Sequence, residues 1–169
     1  MTPDTQTLLS QLAGSWRGSG EGNYPTIERF EYDEILQFEF DPAYPLIHYE
    51  QRTRLRDGEA SHWESGFLRW LEDGSIEISN AQDGGRVEVL RGALMPGEAD
   101  GHFTLELRSD TFGNDPRLVE TRRTIVFSGD RLVYRMEMST HTTDTPRLLQ
   151  HLEATLMRSS LPLNAWVSD

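Results

Sequence analysis

Gly14-Ser15-Trp16-Arg17-Gly18-Ser19-Gly20-Glu21-Gly22-Asn23-Tyr24-Pro25-Thr26-Ile27 is the stretch whose reading decides the fold, because glycine recurs at 14, 18, 20 and 22 and Trp16 is the exception in that alternating series. Glycine has no Cβ, so a strand built this way can bend sharply or let another group approach its backbone closely. Closed β-barrels need such bends at their corners.

The pattern around the stretch agrees. Leu8, Leu9 and Leu12 mark one face of a short helix over 5–13 that ends at Gly14. Beyond it the period becomes two: Leu36, Phe38 and Phe40 alternate with polar residues, as do Ile76 and Ile78, Val87 and Val89, Phe103, Leu105 and Leu107, and Ile125 and Phe127. Turn signals separate these runs at Asp57-Gly58, Asp73-Gly74, Asp83-Gly84-Gly85, Gly113-Asn114-Asp115-Pro116 and Ser128-Gly129-Asp130. The segments near 14–22, 26–39, 45–56, 60–71, 75–82, 85–94, 101–109, 117–127, 131–140 and 149–158 predict ten hairpin-linked strands with no room for crossover helices. The fold class predicted is all-β: a ten-stranded antiparallel up-and-down β-barrel of lipocalin or fatty-acid-binding-protein type with a short N-terminal helix. Closure removes exposed edges, and a bore of that size holds a small ligand. Residues 161–169 read as an irregular cap anchored by Trp166.

A chain of 169 residues supports one domain with one core, here 1–169. The formal charge of −12 argues against nucleic acid and anionic membrane as partners. No cysteine is present, so a metal would rely on His, carboxylate, Tyr or Met. The N-terminus lacks the basic and apolar regions of a signal peptide, which together with the missing cysteines predicts a cytoplasmic location.

No nucleophile elbow, phosphate loop, zinc-protease motif or dinucleotide fingerprint is present. Of five histidines, His102 and His141 read as turn residues and His48 as outward-facing. His62 reads as a rim residue at the start of a strand. His151 stands in an alternation that sets Leu152, Ala154 and Leu156 on one face and His151, Glu153, Thr155 and Met157 on the other. Either face fits the interior, and the pattern leaves open a hydrogen-bonded histidine or a metal ligand. Gln82 shares parity with Ile76, Ile78 and Asn80, which aims two amides inward if the isoleucines face the core. Met136 and Met138 fit either core filling or the soft lining of a flat apolar ligand.

Several motifs recur together and in order: Gly14-x-Trp16-x-Gly18-x-Gly20 with Gly22 and Tyr24-Pro25-Thr26-Ile27, His62-x-Glu64-Ser65-Gly66-Phe67-x-Arg69, Asp73-Gly74-Ser75-Ile76-Glu77, Ala81-Gln82 with Gly85-x-Val87-Glu88-Val89, Met138-Ser139-Thr140, and His151-Leu152-x-Ala154-x-Leu156. This ordered set, covering residues 12–158, resembles the nitrobindin family of haem-binding barrels. The resemblance implies one ferric haem b per subunit with iron bound axially by His151, whose face of the last strand would line the pocket. It implies cofactor contacts from Thr26, His62, Gln82 and Met138, a catalytic role for His62 as a distal histidine that does not ligate iron, and an enzymatic activity, peroxynitrite isomerisation to nitrate, beside nitric oxide binding. Partners would be those two small molecules, with a homodimer left open. An anionic substrate would need local relief from the protein's acidity, for which Arg17 or Arg69 is a candidate. Asn80, Ser61 and a longer 141–150 loop depart from the family pattern. The alternative of another class is a non-enzymatic carrier of a fatty acid or similar apolar molecule, which would have no need of His151 and would favour an inward arginine for the carboxylate.

Overall fold

The computed structural model describes residues 5–161 and 165–166. A short helix, α1 (Thr5–Ser10), precedes ten strands: β1 (Gly14–Tyr24), β2 (Ile27–Phe40), β3 (Leu46–Leu55), β4 (Ala60–Trp70), β5 (Ile76–Gln82), β6 (Val87–Pro96), β7 (Phe103–Gly113), β8 (Leu118–Ser128), β9 (Arg131–Thr140) and β10 (Leu149–Ser159). Each strand pairs antiparallel with its neighbours in sequence, and β1 pairs with β10 to close the barrel. The predicted fold class holds. Among the described residues no helix is long and apolar enough to cross a membrane.

The glycine series acts at this closure. In β1, Trp16 is fully buried, and the positions at the same parity after it are glycines facing crowded space. A Cβ at Gly18 would lie 2.0 Å from the Thr155 carbonyl oxygen of β10, and one at Gly22 would lie 2.1 Å from the Phe30 ring. Backbone cannot yield as a side chain can, so Gly18→Ala is expected to cost about 1–3 kcal/mol of stability by overpacking. A shift in urea midpoint with an unchanged slope would register it.

The two ends of the barrel differ. At one end Leu8, Leu9 and Leu12 are buried against Trp16, and Phe103 stacks on Phe127 at 4.8 Å between ring centroids. The Trp16 indole donates to the Leu12 carbonyl at 2.8 Å, and Arg158 lies over the indole while donating to the carbonyls of Gln11 and Ala13. That end is plugged. The other end carries only a small cluster of Tyr24, Leu118 and Met138 and opens into a cavity. Trp166 of the predicted cap lies under the Arg54 guanidinium, and residues 162–164 and 167–169 of that cap lie outside the described residues.

Candidate functional site

The open end holds a cavity of about 300 Å³, within the range of small-molecule sites. Its walls are Met136 and Met138 from β9, Leu152 from β10, Leu118 from β8 and Phe30 from β2, with His151 and His62 projecting into it. Gln82 and Ser61 also line it. Thr26 does not: it is exposed in the turn between β1 and β2, whose flanking residues Tyr24 and Ile27 do reach the cavity.

His151 arrives there by a break in the strand. The β10–β9 register runs Leu152↔Met136 and then Gln150↔Glu137, so His151 is an extra residue at a bulge. A bulge re-aims a side chain. The expectation that His151 brings its whole strand face inward is therefore corrected: Ala154 and Leu156 fill the core, whereas Thr155 and Met157 are exposed and Glu153 pairs outside the barrel with Arg135. His151 is inside because the bulge turns it to the side of Leu152. The β1–β2 ladder is irregular at the same level, between Gly22 and Tyr24, and neither of β1's ladders assigns Asn23 a partner. The Asn23 carbonyl lies 3.2 Å from His151 Nδ1. With its proton on Nδ1 donated there, the ring keeps a lone pair on Nε2. Burial, together with the charges of Arg86 and His62, lowers the His151 pKa from its ordinary value and favours the neutral ring. The Tyr24 ring meets it edge-on at 5.8 Å.

His62 lies between two carboxylates, Nε2 at 3.2 Å from Glu64 and Nδ1 at 3.4 Å from Asp83. The Nε2–Glu64 contact is a hydrogen bond, whereas Nδ1 faces the Asp83 carboxylate. Glu64 belongs to a buried ionic network that pattern reading did not isolate. Arg123 of β8, 3 % exposed, bonds both Glu64 of β4 and Glu88 of β6. Tyr49 donates to Glu64 at 2.8 Å and Thr121 to Glu88. Burial alone would raise the Glu64 carboxyl, but Arg123 and His62 outweigh it and hold it well below the usual carboxylate range. Beside it Glu34 of β2, equally buried, accepts only from Gln51 at 2.7 Å, and burial pushes its pKa up to about 8. The inward amides lack matching partners: Gln82 Nε2 has none, and the Tyr49 hydroxyl beside Asn80 spends its proton on Glu64, leaving the Asn80 amide with no hydrogen bond of good geometry.

Neither arginine expected to relieve an anion is at the cavity. Arg17 reaches the carbonyls of Ala165 and Leu161, and Arg69 pairs with Glu77 on the outer wall. Arg86 and Arg117 stand at the mouth instead, with Asp115 between them. The 141–150 loop contributes Thr142, hydrogen-bonded to Thr140 at 2.6 Å.

A family profile described as the THAP4-like, heme-binding beta-barrel domain matches residues 6–158. The chain belongs to that family, the nitrobindins. A peroxynitrite isomerase of Arabidopsis thaliana is 41 % identical over 149 residues, covering 88 % of this chain and 85 % of that protein. Another, from Nocardia farcinica, is 36 % identical over 89 % of this chain and 88 % of its own length. The crystal structure of Rv2717c from M. tuberculosis superposes with a TM-score of 0.80 at 35 % identity, covering 89 % of this chain and 94 % of that one. The nitrobindin family description agrees with a barrel whose open end offers a cavity with an apolar wall of Met136, Met138 and Leu152 and an inward imidazole.

Proposed function

We propose that this nitrobindin holds haem b in the cavity through His151 Nε2, isomerises peroxynitrite to nitrate in that state, and binds nitric oxide at the same centre. The observation that carries the reading is the coincidence of two backbone irregularities at Asn23 and His151. They turn one histidine into the cavity and give its Nδ1 proton a carbonyl partner, the arrangement by which a metal-binding imidazole is oriented and kept basic. The walls suit a flat apolar ring, since methionine adapts to irregular surfaces. Haem, when bound, supplies the redox-active iron and an open coordination position.

The chain's own residues divide the remaining work. His151 would hold the haem iron through Nε2. His62, with Nε2 held by Glu64 and Nδ1 facing Asp83, would stand beside the bound substrate as a positioning group and not as an iron ligand. Its contact with the half-exposed Asp83 is the weaker one, so His62 can turn that N–H toward an entering anion while Glu64 keeps hold of the other. Met138 and Gln82 would flank the cofactor, whereas Thr26, exposed in the adjoining turn, is outside the cavity lining. Arg123 offers the carrier reading no carboxylate site, because it is already committed to Glu64 and Glu88.

Titrating the purified protein with hemin should give a saturable shift of the Soret band that is lost or displaced in His151→Ala. Stopped-flow decay of peroxynitrite should be faster with the loaded protein than without it. A wild-type protein that produces no saturable shift would remove the haem reading, and equal decay rates would reduce the function to ligand binding.

A further inference from the structure

Arg86 is a mostly buried cation at the cavity mouth with little to hold. Its side chain is 16 % exposed, its Nε is buried without a hydrogen-bond partner, and its nearest carboxylate, Asp115, is 3.8 Å away, beyond hydrogen-bonding distance. Asp115 is already taken, accepting from Arg117 through the backbone N–H at 3.2 Å, Nε at 3.0 Å and Nη2 at 3.4 Å. Two guanidinium groups thus share one carboxylate, a local positive excess in a chain of net charge −12. A buried guanidinium with unmade hydrogen bonds costs stability unless something supplies an acceptor.

Arg86 is also held in place. The Asn114 side-chain amide, from a residue in the left-handed region (φ 64°), donates to the Gly85 carbonyl at 3.1 Å and ties the β7–β8 turn to the β5–β6 turn. The Gln82 N–H donates to the Arg86 carbonyl at 2.9 Å, and the Arg117 carbonyl accepts from the His141 N–H at 2.8 Å. The stapled turns present the guanidinium to the same cavity that receives His151 and the two methionines.

We propose that Arg86 is the carboxylate receptor of this pocket, taking one ionised propionate of haem at the mouth while the macrocycle lies against Met136, Met138 and Leu152. The inference rests on the haem reading and specifies which end of the cofactor enters last. Arginine pairs bidentately with carboxylate, and hydrogen bonds to charged groups are among the stronger ones.

The test compares hemin with its dimethyl ester, which has the same ring and iron but no ionised carboxylate, on wild type, R86Q and R86K. Laurate, followed by calorimetry, serves as a carboxylate without a porphyrin. Arg86→Gln should weaken hemin binding about 10- to 100-fold, the value of a charged hydrogen bond, and leave the ester unchanged. Arg86→Lys should recover part of the loss, and unchanged thermal unfolding of the unloaded variants would separate the effect from folding. A wild type that binds both porphyrins equally, or R86Q that weakens both equally, overturns the carboxylate assignment and leaves haem binding standing. A Soret band unmoved by either porphyrin overturns the haem reading and this inference with it. Arg86-dependent laurate binding in that case gives the guanidinium to a fatty carboxylate.

Discussion

Arg123→Met is expected to destabilise the folded protein by about 3–5 kcal/mol, the usual cost of removing one partner from a buried ionic group. The residue spans the barrel interior from β8 to Glu64 on β4 and Glu88 on β6, and all three side chains are nearly or wholly inaccessible to solvent. Tyr49 and Thr121 would still donate to the two carboxylates, but hydroxyl dipoles do not replace a full charge. The folded variant would have to bury two anions or take up protons, so its deficit should shrink as the pH is lowered. The triple variant R123M/E64Q/E88Q, which removes all three charges, should recover most of the loss. Urea unfolding of wild type, single and triple variants at pH 5 and pH 8 decides this. A single variant within about 1 kcal/mol of wild type, the range of a solvated pair, would mean that the network is hydrated and not a buried structural unit.

That network marks the boundary of what the sequence made legible. Strand order, barrel closure and the plug helix followed from period-two runs punctuated by Asp-Gly and Ser-Gly turns, and Gly58, Gly74, Gly85 and Gly129 do adopt positive φ at those turns. The inward charges obey the same alternation. Glu64 shares parity with Leu68, Arg123 with Ile125 and Phe127, and Glu34 with Leu36 and Phe38. They escaped because alternation was followed through apolar residues alone. In β6 this drew attention to Val87 and Val89, whereas Glu88 and Leu90 face the core. A rule that asked which charged residues fall on an apolar parity would have found all four. The bulge at His151 is different in kind. A one-residue slip alters no composition and leaves the local alternation intact, so the position of the imidazole could come only from the family resemblance, and the inward face expected with it was wrong. Arg86 was hidden for a third reason: its setting depends on two turns 29 residues apart, joined by Asn114 and Gly85.

Glu34→Gln is expected to stabilise the protein at alkaline pH and to change little at acidic pH. Glu34 is buried with one hydrogen bond, from Gln51, and its other carboxylate oxygen has no partner. Burial is the main reason that its pKa rises from 4.5 to about 8, with the Glu64 charge adding and the Gln51 hydrogen bond opposing. The sign follows directly. Between those two values the folded state binds more protons at this site than the unfolded chain does, so stability falls as pH rises across the window. The full effect is on the order of a few kcal/mol. Glu64 acts oppositely and elsewhere, since its lowered pKa contributes stability above the unfolded carboxylate range that is lost only as the pH falls below it. The lowered pKa of His151 also favours stability as pH rises toward 6.5, but both proteins carry it, so it cancels in the comparison. Glutamine keeps an acceptor for Gln51 and removes the ionisation. The difference in unfolding free energy between E34Q and wild type should therefore be small near pH 5 and grow steadily through pH 8. A difference that stays flat over this range would mean that Glu34 is already ionised in the folded barrel and that water reaches its carboxylate.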